Sequence, residues 1–160
     1  MPARADLITG TSALCAAFST GADIPTLLST FTTSPTPYIY EHGLSSLAPF
    51  LGRTFRGQDG LTKYFDLLSE NLGVESMDLD GEKNWIVDTE NAVVCLKGRA
   101  RFVSKATGQG WDEVFIYKIS LAKEGGDGNG KGGWKVRAYE VWADTGAAYL
   151  AARGELNGLS

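Results

Sequence analysis

Three side chains that can exchange protons or donate hydrogen bonds stand two residues apart early in the chain. Tyr38, Tyr40 and His42 alternate along PYIYEHG, whose aromatic and β-branched residues predict a strand. Side chains at this spacing on a strand point the same way, so we expect the three to face one pocket. An imidazole that titrates near neutrality beside phenols suits proton transfer. His42 and Tyr40 are therefore candidate catalytic residues and Tyr38 is a candidate substrate contact. The alternative is that His42, the single histidine of the sequence, has a structural role.

Glu113 alternates with aromatic residues on a later predicted strand. The alternation places these side chains on one face: Trp111, Glu113, Phe115, Tyr117 and Ile119. An acid flanked by aromatic rings loses hydration, which raises its pKa and suits it to act as a general acid or base. Glu113 is therefore a further catalytic candidate, with Phe115 and Tyr117 as substrate contacts. The alternative is an exposed glutamate near the start of the strand.

A turn at Thr107 and Gly108 would fold the preceding strand back against this one. The expected pairs set small residues against large ones: Gly98 with Tyr117, Ala100 with Phe115, and Phe102 with Glu113. We expect Gly98 and Ala100 to leave room for a ligand, so both are candidate substrate-binding residues. The opposite face carries Lys97, Arg99 and Arg101, a pattern typical of a solvated surface.

The last predicted strand, WKVRAYEVWAD, offers two sets of side chains. Arg137, Tyr139 and Val141 share one face, and Glu140 and Trp142 lie on the other. Either set could face the pocket. Arg137 and Tyr139 would offer a cation and a hydroxyl to an anionic oxygen, and the alternative is a surface arginine beside a core tyrosine.

The elements that must position these residues follow from periodicity. Helical patterns cover residues 6–20, a short segment from the Asp23 N-cap to about residue 31, residues 58–71, and GAAYLAAR near the end. Strand patterns cover residues 38–40, 74–79, 84–88, 92–104, 109–122 and 134–143, with a long loop at 43–57 and a glycine-rich connection at 123–133. Short turns between the later strands favour an antiparallel meander. We expect a single α+β domain over residues 1–160, a cone-shaped barrel whose curved sheet wraps around the helices.

Composition narrows the classes of partner and cofactor. With 19 acidic and 15 basic residues the net charge is −4, so the chain lacks the positive field that attracts nucleic acid. One histidine and no cysteine cluster argue against a transition metal. No apolar run approaches the ~20 residues of a membrane span. Cys15 and Cys95 fit apolar patterns as small hydrophobic residues. We therefore expect a cytoplasmic protein with no metal and no membrane or nucleic-acid partner.

The order of elements, together with PYIYEHG, GLTKYFDLL and VRAYEVWAD, resembles the nuclear transport factor 2-like superfamily, particularly its SnoaL-like branch, from roughly Ala5 to Arg153. That branch includes polyketide cyclases, ketosteroid isomerases and dehydratases, most of which need no cofactor. The resemblance implies that Tyr139 and Val141 face inward with Arg137. It also implies that the outward face of the sheet, with Trp142, forms a homodimer. Val141 stands where some relatives carry a catalytic aspartate, which argues against epoxide hydrolysis and aldol cyclase chemistry.

These observations predict a cofactor-independent isomerase, cyclase or dehydratase that acts on a mostly apolar small molecule. His42 and Glu113 would exchange protons, and Tyr40, Tyr117 and Tyr139 would donate hydrogen bonds. The alternatives are a non-catalytic small-molecule-binding protein with the same pocket, and a dimeric interaction module whose pocket is filled by its own side chains.

Overall fold

The computed structural model describes residues 1–125 and 133–159. The helices of these residues are α1 (Arg4–Ser19), α2 (Ile24–Ser29), α3 (Gly57–Asn71) and α4 (Thr145–Ala152), with short 3₁₀ helices at Glu82–Asn84 and Leu156–Leu159. The predicted helices are all present, within a few residues of their expected bounds. The glycine-rich connection predicted at 123–133 lies mostly outside the described residues.

The strands form one curled sheet. They are β1 (Tyr38–Glu41), β2 (Thr54–Arg56), β3 (Leu72–Leu79), β4 (Ile86–Asp88), β5 (Val93–Ser104), β6 (Gly110–Lys123) and β7 (Trp134–Trp142). Their order is β2-β1-β7-β6-β5-β3, and β4 also pairs with β5. Neighbours are antiparallel except β1 and β7, which run parallel. The predicted α+β fold with a curved, mostly antiparallel sheet is confirmed, and the single-domain extent stays a prediction.

Local sequence explains where the helices begin. The structure also corrects two predicted boundaries. Asp23 caps α2 as predicted, its side chain accepting a hydrogen bond from the Thr26 amide at 3.0 Å. Gly57 at the start of α3 has φ +69°, a left-handed conformation that lets the chain leave β2 sharply. The segment 43–57, which was predicted to be a loop throughout, contains the short strand β2. Gly73 does not end α3 as expected, because β3 begins directly at Leu72.

Helix α1 packs closely against the inner face of the sheet. At Gly10 an added Cβ would lie 2.6 Å from the Trp134 carbonyl oxygen and 2.5 Å from a Leu121 methyl carbon. Only glycine allows the helix to approach β7 this closely. In α3, the predicted apolar stripe buries Leu61 and Tyr64 against the same core. The helices and the sheet thus form two layers with the hydrophobic core between them.

The β5–β6 hairpin is tighter than predicted. Phe102 pairs with Trp111 and Gly98 pairs with Phe115, so every expected pair was wrong by two residues. The turn closes early because the Ser104 amide donates to the Gln109 carbonyl oxygen at 2.8 Å. A shift of two residues keeps each side chain on its face, since side chains alternate with a period of two. The predicted inner and outer faces of these strands were therefore right although the pairs were not.

Candidate functional site

The inner face of the sheet and the helices enclose a cavity of about 670 Å³. Its wall is largely aromatic and aliphatic, with rings from Phe18, Phe50, Phe65, Phe102, Trp111 and Phe115. A small set of deep polar side chains also reaches it: Glu41, Tyr64, Glu113, Tyr117 and Tyr139. A concave apolar pocket with a few convergent polar groups is typical of a small-molecule site.

Glu41 is the most deeply buried carboxyl group of the cavity. It follows Ile39 by two residues on β1, and both side chains point inward, with Glu41 only 7% exposed. The Tyr64 hydroxyl of α3 donates to Glu41 Oε1 at 2.6 Å. Burial raises the pKa of Glu41 to about 7, the negative charge of Glu113 adds to this rise, and the Tyr64 hydrogen bond opposes it. Glu41 can therefore both accept and release a proton near neutral pH.

Glu113 lies on β6 at the wall of the same cavity, as the alternation predicted. Its Oε2 accepts hydrogen bonds from Trp111 Nε1 at 3.0 Å and from the Asp144 amide at 3.1 Å. Burial nevertheless raises the pKa of Glu113, because the loss of hydration outweighs these hydrogen bonds. Two carboxyl groups with raised pKa values thus share one cavity.

The hydroxyl groups of Tyr117 and Tyr139 supply neutral hydrogen-bond donors. Their rings meet edge to face with centroids 4.9 Å apart, and both side chains are buried. Burial raises the pKa of Tyr117 and of Tyr139, so both phenols keep their protons at neutral pH. Tyr64 behaves in the same way, its pKa raised by burial and then by the nearby Glu41 carboxylate. The Tyr64 proton is already donated to Glu41, so Tyr117 and Tyr139 are the phenols that can donate to a ligand oxygen that gains negative charge.

The structure places Tyr38, Tyr40 and His42 on the opposite face of the sheet, which corrects the expectation that they face the pocket. The His42 ring stacks on Trp142 with centroids 3.9 Å apart, and its Nε2 lies 3.2 Å from Glu140 Oε1. Tyr40 contacts the His42 ring edge to face at 4.7 Å. The sequence signal that separates the faces is the central isoleucine of the strand, which marks the core side. Glu41, rather than His42, shares that side.

A β-bulge corrects the expected position of Arg137. Ser120 pairs with Ala138 but Leu121 pairs with Val136, so Arg137 is left without a partner in β6. A bulge re-aims the side chains on either side of it. Val136 consequently replaces Arg137 on the inner face, and Arg137 does not line the cavity.

The space beside Gly98 on β5 is occupied by the protein itself, and neither Gly98 nor Ala100 lines the cavity. A Cβ at Gly98 would lie 2.4 Å from the Phe115 ring and 2.6 Å from a Leu79 methyl carbon. Cross-strand packing of Phe115 over Gly98 therefore fills the gap predicted for a ligand. Of the other predicted substrate contacts, Phe115, Tyr117, Tyr139 and Val141 do line the cavity.

Sequence reasoning missed Glu41 and Tyr64 as site residues. Tyr64 belongs to the apolar stripe of α3, so it was expected to be a core residue, and its hydroxyl is the only polar group on that stripe. Elsewhere, residues 1–125 and 133–159 contain no group of three histidine, cysteine, aspartate or glutamate side chains placed to hold a metal ion. No helix within those ranges is long and apolar enough to cross a membrane.

No protein-family model matches the chain, and no curated protein sequence matches it. Solved structures do. An NTF2-like protein from Burkholderia xenovorans is 19% identical, with a TM-score of 0.66, covering 92% of this chain and 95% of that one. A ketosteroid isomerase-like protein from Erwinia carotovora is 18% identical, with a TM-score of 0.60 and coverages of 87% and 94%. PrhC from Penicillium brasilianum is 15% identical, with a TM-score of 0.61 and coverages of 98% and 95%.

At these identities the likeness concerns the fold. The chain has the nuclear transport factor 2-like fold, and the resemblance stated from its sequence is confirmed at that level. Isomerases and cyclases are found on this fold, but a fold by itself assigns neither reaction nor substrate. The chemistry must be argued from the residues of the cavity.

Proposed function

We propose that the protein is a cofactor-independent enzyme, an isomerase, cyclase or dehydratase, that acts on a mostly apolar small molecule by acid–base catalysis. The observation that carries this proposal is Glu41, a buried carboxyl group whose pKa is raised to about 7 and which Tyr64 holds in the wall of an aromatic cavity. A strongly perturbed acid in a cleft is a recognised mark of a functional site. The fold shared with a ketosteroid isomerase-like protein agrees with this class.

Glu41 is assigned the role of the first proton acceptor. Tyr64 donates to Oε1 only. Oε2 is not a fully buried oxygen without a hydrogen-bond partner, so it remains accessible from the cavity. In its ionised form it takes a proton from a carbon next to a substrate carbonyl group. The electron pair moves onto the carbonyl oxygen, where Tyr117 and Tyr139 can donate hydrogen bonds.

Glu113 is assigned the second proton transfer. When it is protonated, it can deliver a proton to another substrate carbon, which completes an isomerisation, or to a departing hydroxyl group, which leaves as water in a dehydration. Because burial raises the pKa values of both acids, each can hold a proton at a pH where an exposed glutamate is ionised. Glu113 thus keeps its predicted role, and Glu41 takes the role that His42 was expected to have.

Exchange of substrate hydrogen for solvent deuterium tests this assignment without knowledge of the natural substrate. A panel of apolar ketones is incubated with the protein in D₂O, and mass spectrometry follows deuterium at the carbon next to the carbonyl group. We expect exchange above the buffer rate, and Glu41→Gln should lower it by about 10²- to 10⁴-fold, the usual contribution of a general acid or base. Glutamine preserves the size and can still accept from Tyr64.

Glu140→Gln is the matched control, because Glu140 is a half-buried glutamate on the outer face of the same sheet. It should exchange like the unmodified protein. Equal exchange by the Glu41→Gln variant would contradict the proposal. Ketones that raise the melting temperature but never exchange would instead favour the alternative function, a non-catalytic small-molecule-binding protein.

We also propose a homodimer through the outer face of the sheet and a cytoplasmic location. The dimer is supported by exposed apolar side chains on that face, Val114, Ile116 and Trp142, of which Ile116 and Trp142 are cross-strand partners. The location is supported by the free thiols Cys15 and Cys95. Sedimentation of the protein and its Ile116→Lys variant tests the first, and cell fractionation tests the second.

A further inference from the structure

The charged side chains that line the cavity are all acidic. They are Asp23, Glu41, Asp66, Glu75, Glu113 and Asp144, and the described lining contains no lysine, arginine or histidine. Glu75 is paired with Arg101, their charged atoms 3.1 Å apart, so its charge is balanced locally. Asp23 and Asp144 cap α2 and α4 with one carboxylate oxygen each. The remaining negative charge faces a space with no counter-charge on its wall.

Repulsion between two of these acids makes the cavity selective for the charge of its ligand. Glu41 and Glu113 repel each other, which is why the charge of Glu113 contributes to the raised pKa of Glu41. An anionic ligand would add a third negative charge and would meet no cation or oriented guanidinium to receive it. A cationic ligand would relieve the repulsion between the two carboxyl groups.

The aromatic wall favours the same sign of charge. The Phe18 ring lies 5.9 Å from Tyr117 and 5.5 Å from Tyr139, centroid to centroid, so the rings form a cluster beside the acids. The face of an aromatic ring carries negative partial charge and attracts cations. The acids and the ring faces therefore both favour a positively charged ligand.

We infer that the cavity selects its substrate by charge, taking apolar molecules that are cationic or neutral, binding a protonated amine most tightly, and excluding carboxylates and phosphates. This inference rests on the proposed function, since it describes the substrate class of the same site. It adds that the substrate carries no acidic group. Free carboxylic acids, phosphorylated molecules and thioesters attached to a carrier are therefore excluded as substrates.

A bound ammonium group should also displace a proton. The groups that face Glu41 are Tyr64 from α3, Glu113 and Tyr117 from β6, and Tyr139 from β7, and among them Glu113 is the only other carboxyl group and none is a cation. A cation beside Glu41 favours its ionised form and so lowers its pKa. Binding of an amine near pH 7 should therefore release protons, whereas binding of a neutral ligand should not.

Three naphthalene derivatives of similar size and different charge test the inference: 2-naphthylmethylamine, 2-naphthalenemethanol and 2-naphthoate. Calorimetry at pH 7 in two buffers with different ionisation enthalpies gives both the affinity and the number of protons released. We expect the amine to bind about tenfold more tightly than the alcohol, and the carboxylate at least about tenfold more weakly. Proton release should accompany the amine alone. A carboxylate that binds as well as the alcohol, an amine with no advantage, or no binding by any of the three overturns the inference.

Variants locate the effect. Glu113→Gln should remove most of the amine's advantage over the alcohol, and Glu140→Gln on the outer face should leave that advantage as it is. An equal loss of amine binding in both variants would mean a general surface field, which contradicts selection by the cavity. The deuterium-exchange experiment separates the two proposals. Exchange that depends on Glu41 without charge preference refutes only this inference, and charge preference without exchange refutes only the catalytic function.

Discussion

Glu41 and Glu140 lie on adjacent paired strands, β1 and β7, but on opposite faces of the sheet. On the inner face, the neighbours of Glu41 are the neutral Tyr64 hydroxyl and a second acid, Glu113, and its pKa is raised to about 7. On the outer face, Glu140 contacts His42 at 3.2 Å and Lys118 at 3.7 Å. The same residue type thus becomes a proton-transfer candidate on one face and an ion-pair partner on the other, because the faces differ in hydration and in the sign of neighbouring charges.

The largest expected difference between the faces is in activity. Glu113→Gln should lower the deuterium exchange of apolar ketones by about 10²- to 10⁴-fold, because it removes one of the two proton-transfer groups. His42→Ala on the outer face should leave the rate unchanged. Both variants are measured with the ketone that exchanges fastest. If His42→Ala lost activity as Glu113→Gln does, the assignment of the inner face as the active face would be wrong.

The next difference is in stability. Phe115 is 3% exposed and fills the space over Gly98, whereas Trp142 is 42% exposed and stacks on His42. Phe115→Ala should lower the free energy of unfolding by about 3–5 kcal/mol, the usual cost of truncating a buried aromatic residue. Trp142→Ala should cost about 1 kcal/mol, the contribution of one aromatic pair. Urea unfolding measures both, and equal losses would contradict the distinction between the faces.

A smaller effect is the pH dependence of stability that Glu41 causes. Its pKa rises from an ordinary 4.5 to about 7 on folding, so below pH 4.5 it is protonated in both states and costs nothing. Between pH 4.5 and 7 the unfolded chain releases this proton while the folded protein keeps it, so stability falls by on the order of 3 kcal/mol across that range and falls no further above pH 7. Glu41→Gln should therefore gain stability over the unmodified protein between pH 4.5 and 7 and keep that gain above. Urea unfolding at several pH values measures the difference, and Glu140→Gln should show no such gain. A stability difference that stays constant with pH would show that Glu41 is not desolvated as described.

The smallest effects are opposite shifts in the pKa of Glu41. The Tyr64 hydrogen bond lowers this pKa and the charge of Glu113 raises it. Tyr64→Phe should therefore move the midpoint of Glu41 titration to higher pH, and Glu113→Gln should move it to lower pH. Carbon-detected NMR of the side-chain carboxyl group measures both. Shifts in the same direction would refute the arrangement of the two partners around Glu41.

The pattern of the chain predicted more of the fold than of the site. The helical stripe of α3 and the strand alternation of β5, β6 and β7 gave the element order and most faces, because a period of two or 3.6 residues reports burial directly. Glu113, Tyr117 and Tyr139 were placed on the inner face for that reason. Even the wrong hairpin register kept these faces, since the error was two residues.

Local pattern failed where long-range pairing decides direction. Tyr38, Tyr40 and His42 alternate as expected, but which side they occupy depends on the parallel pairing of β1 with β7. The bulge that turns Arg137 away from the cavity also exists only in the paired sheet. The bulge has no signature in the residues nearby, and the local signal for the inner side of β1 is a single residue, Ile39.

The sequence by itself thus determined which elements form, which residues share a face, and that an aromatic pocket with an acid on β6 would result, because periodicity and composition act locally. Only the tertiary structure decided which face of β1 is the inner one, and therefore that the buried acid is Glu41 and its partner Tyr64. The physical reason is desolvation. A carboxyl group acquires a pKa of about 7 when distant segments, here α3, β1 and β6, together remove its water and set its neighbours.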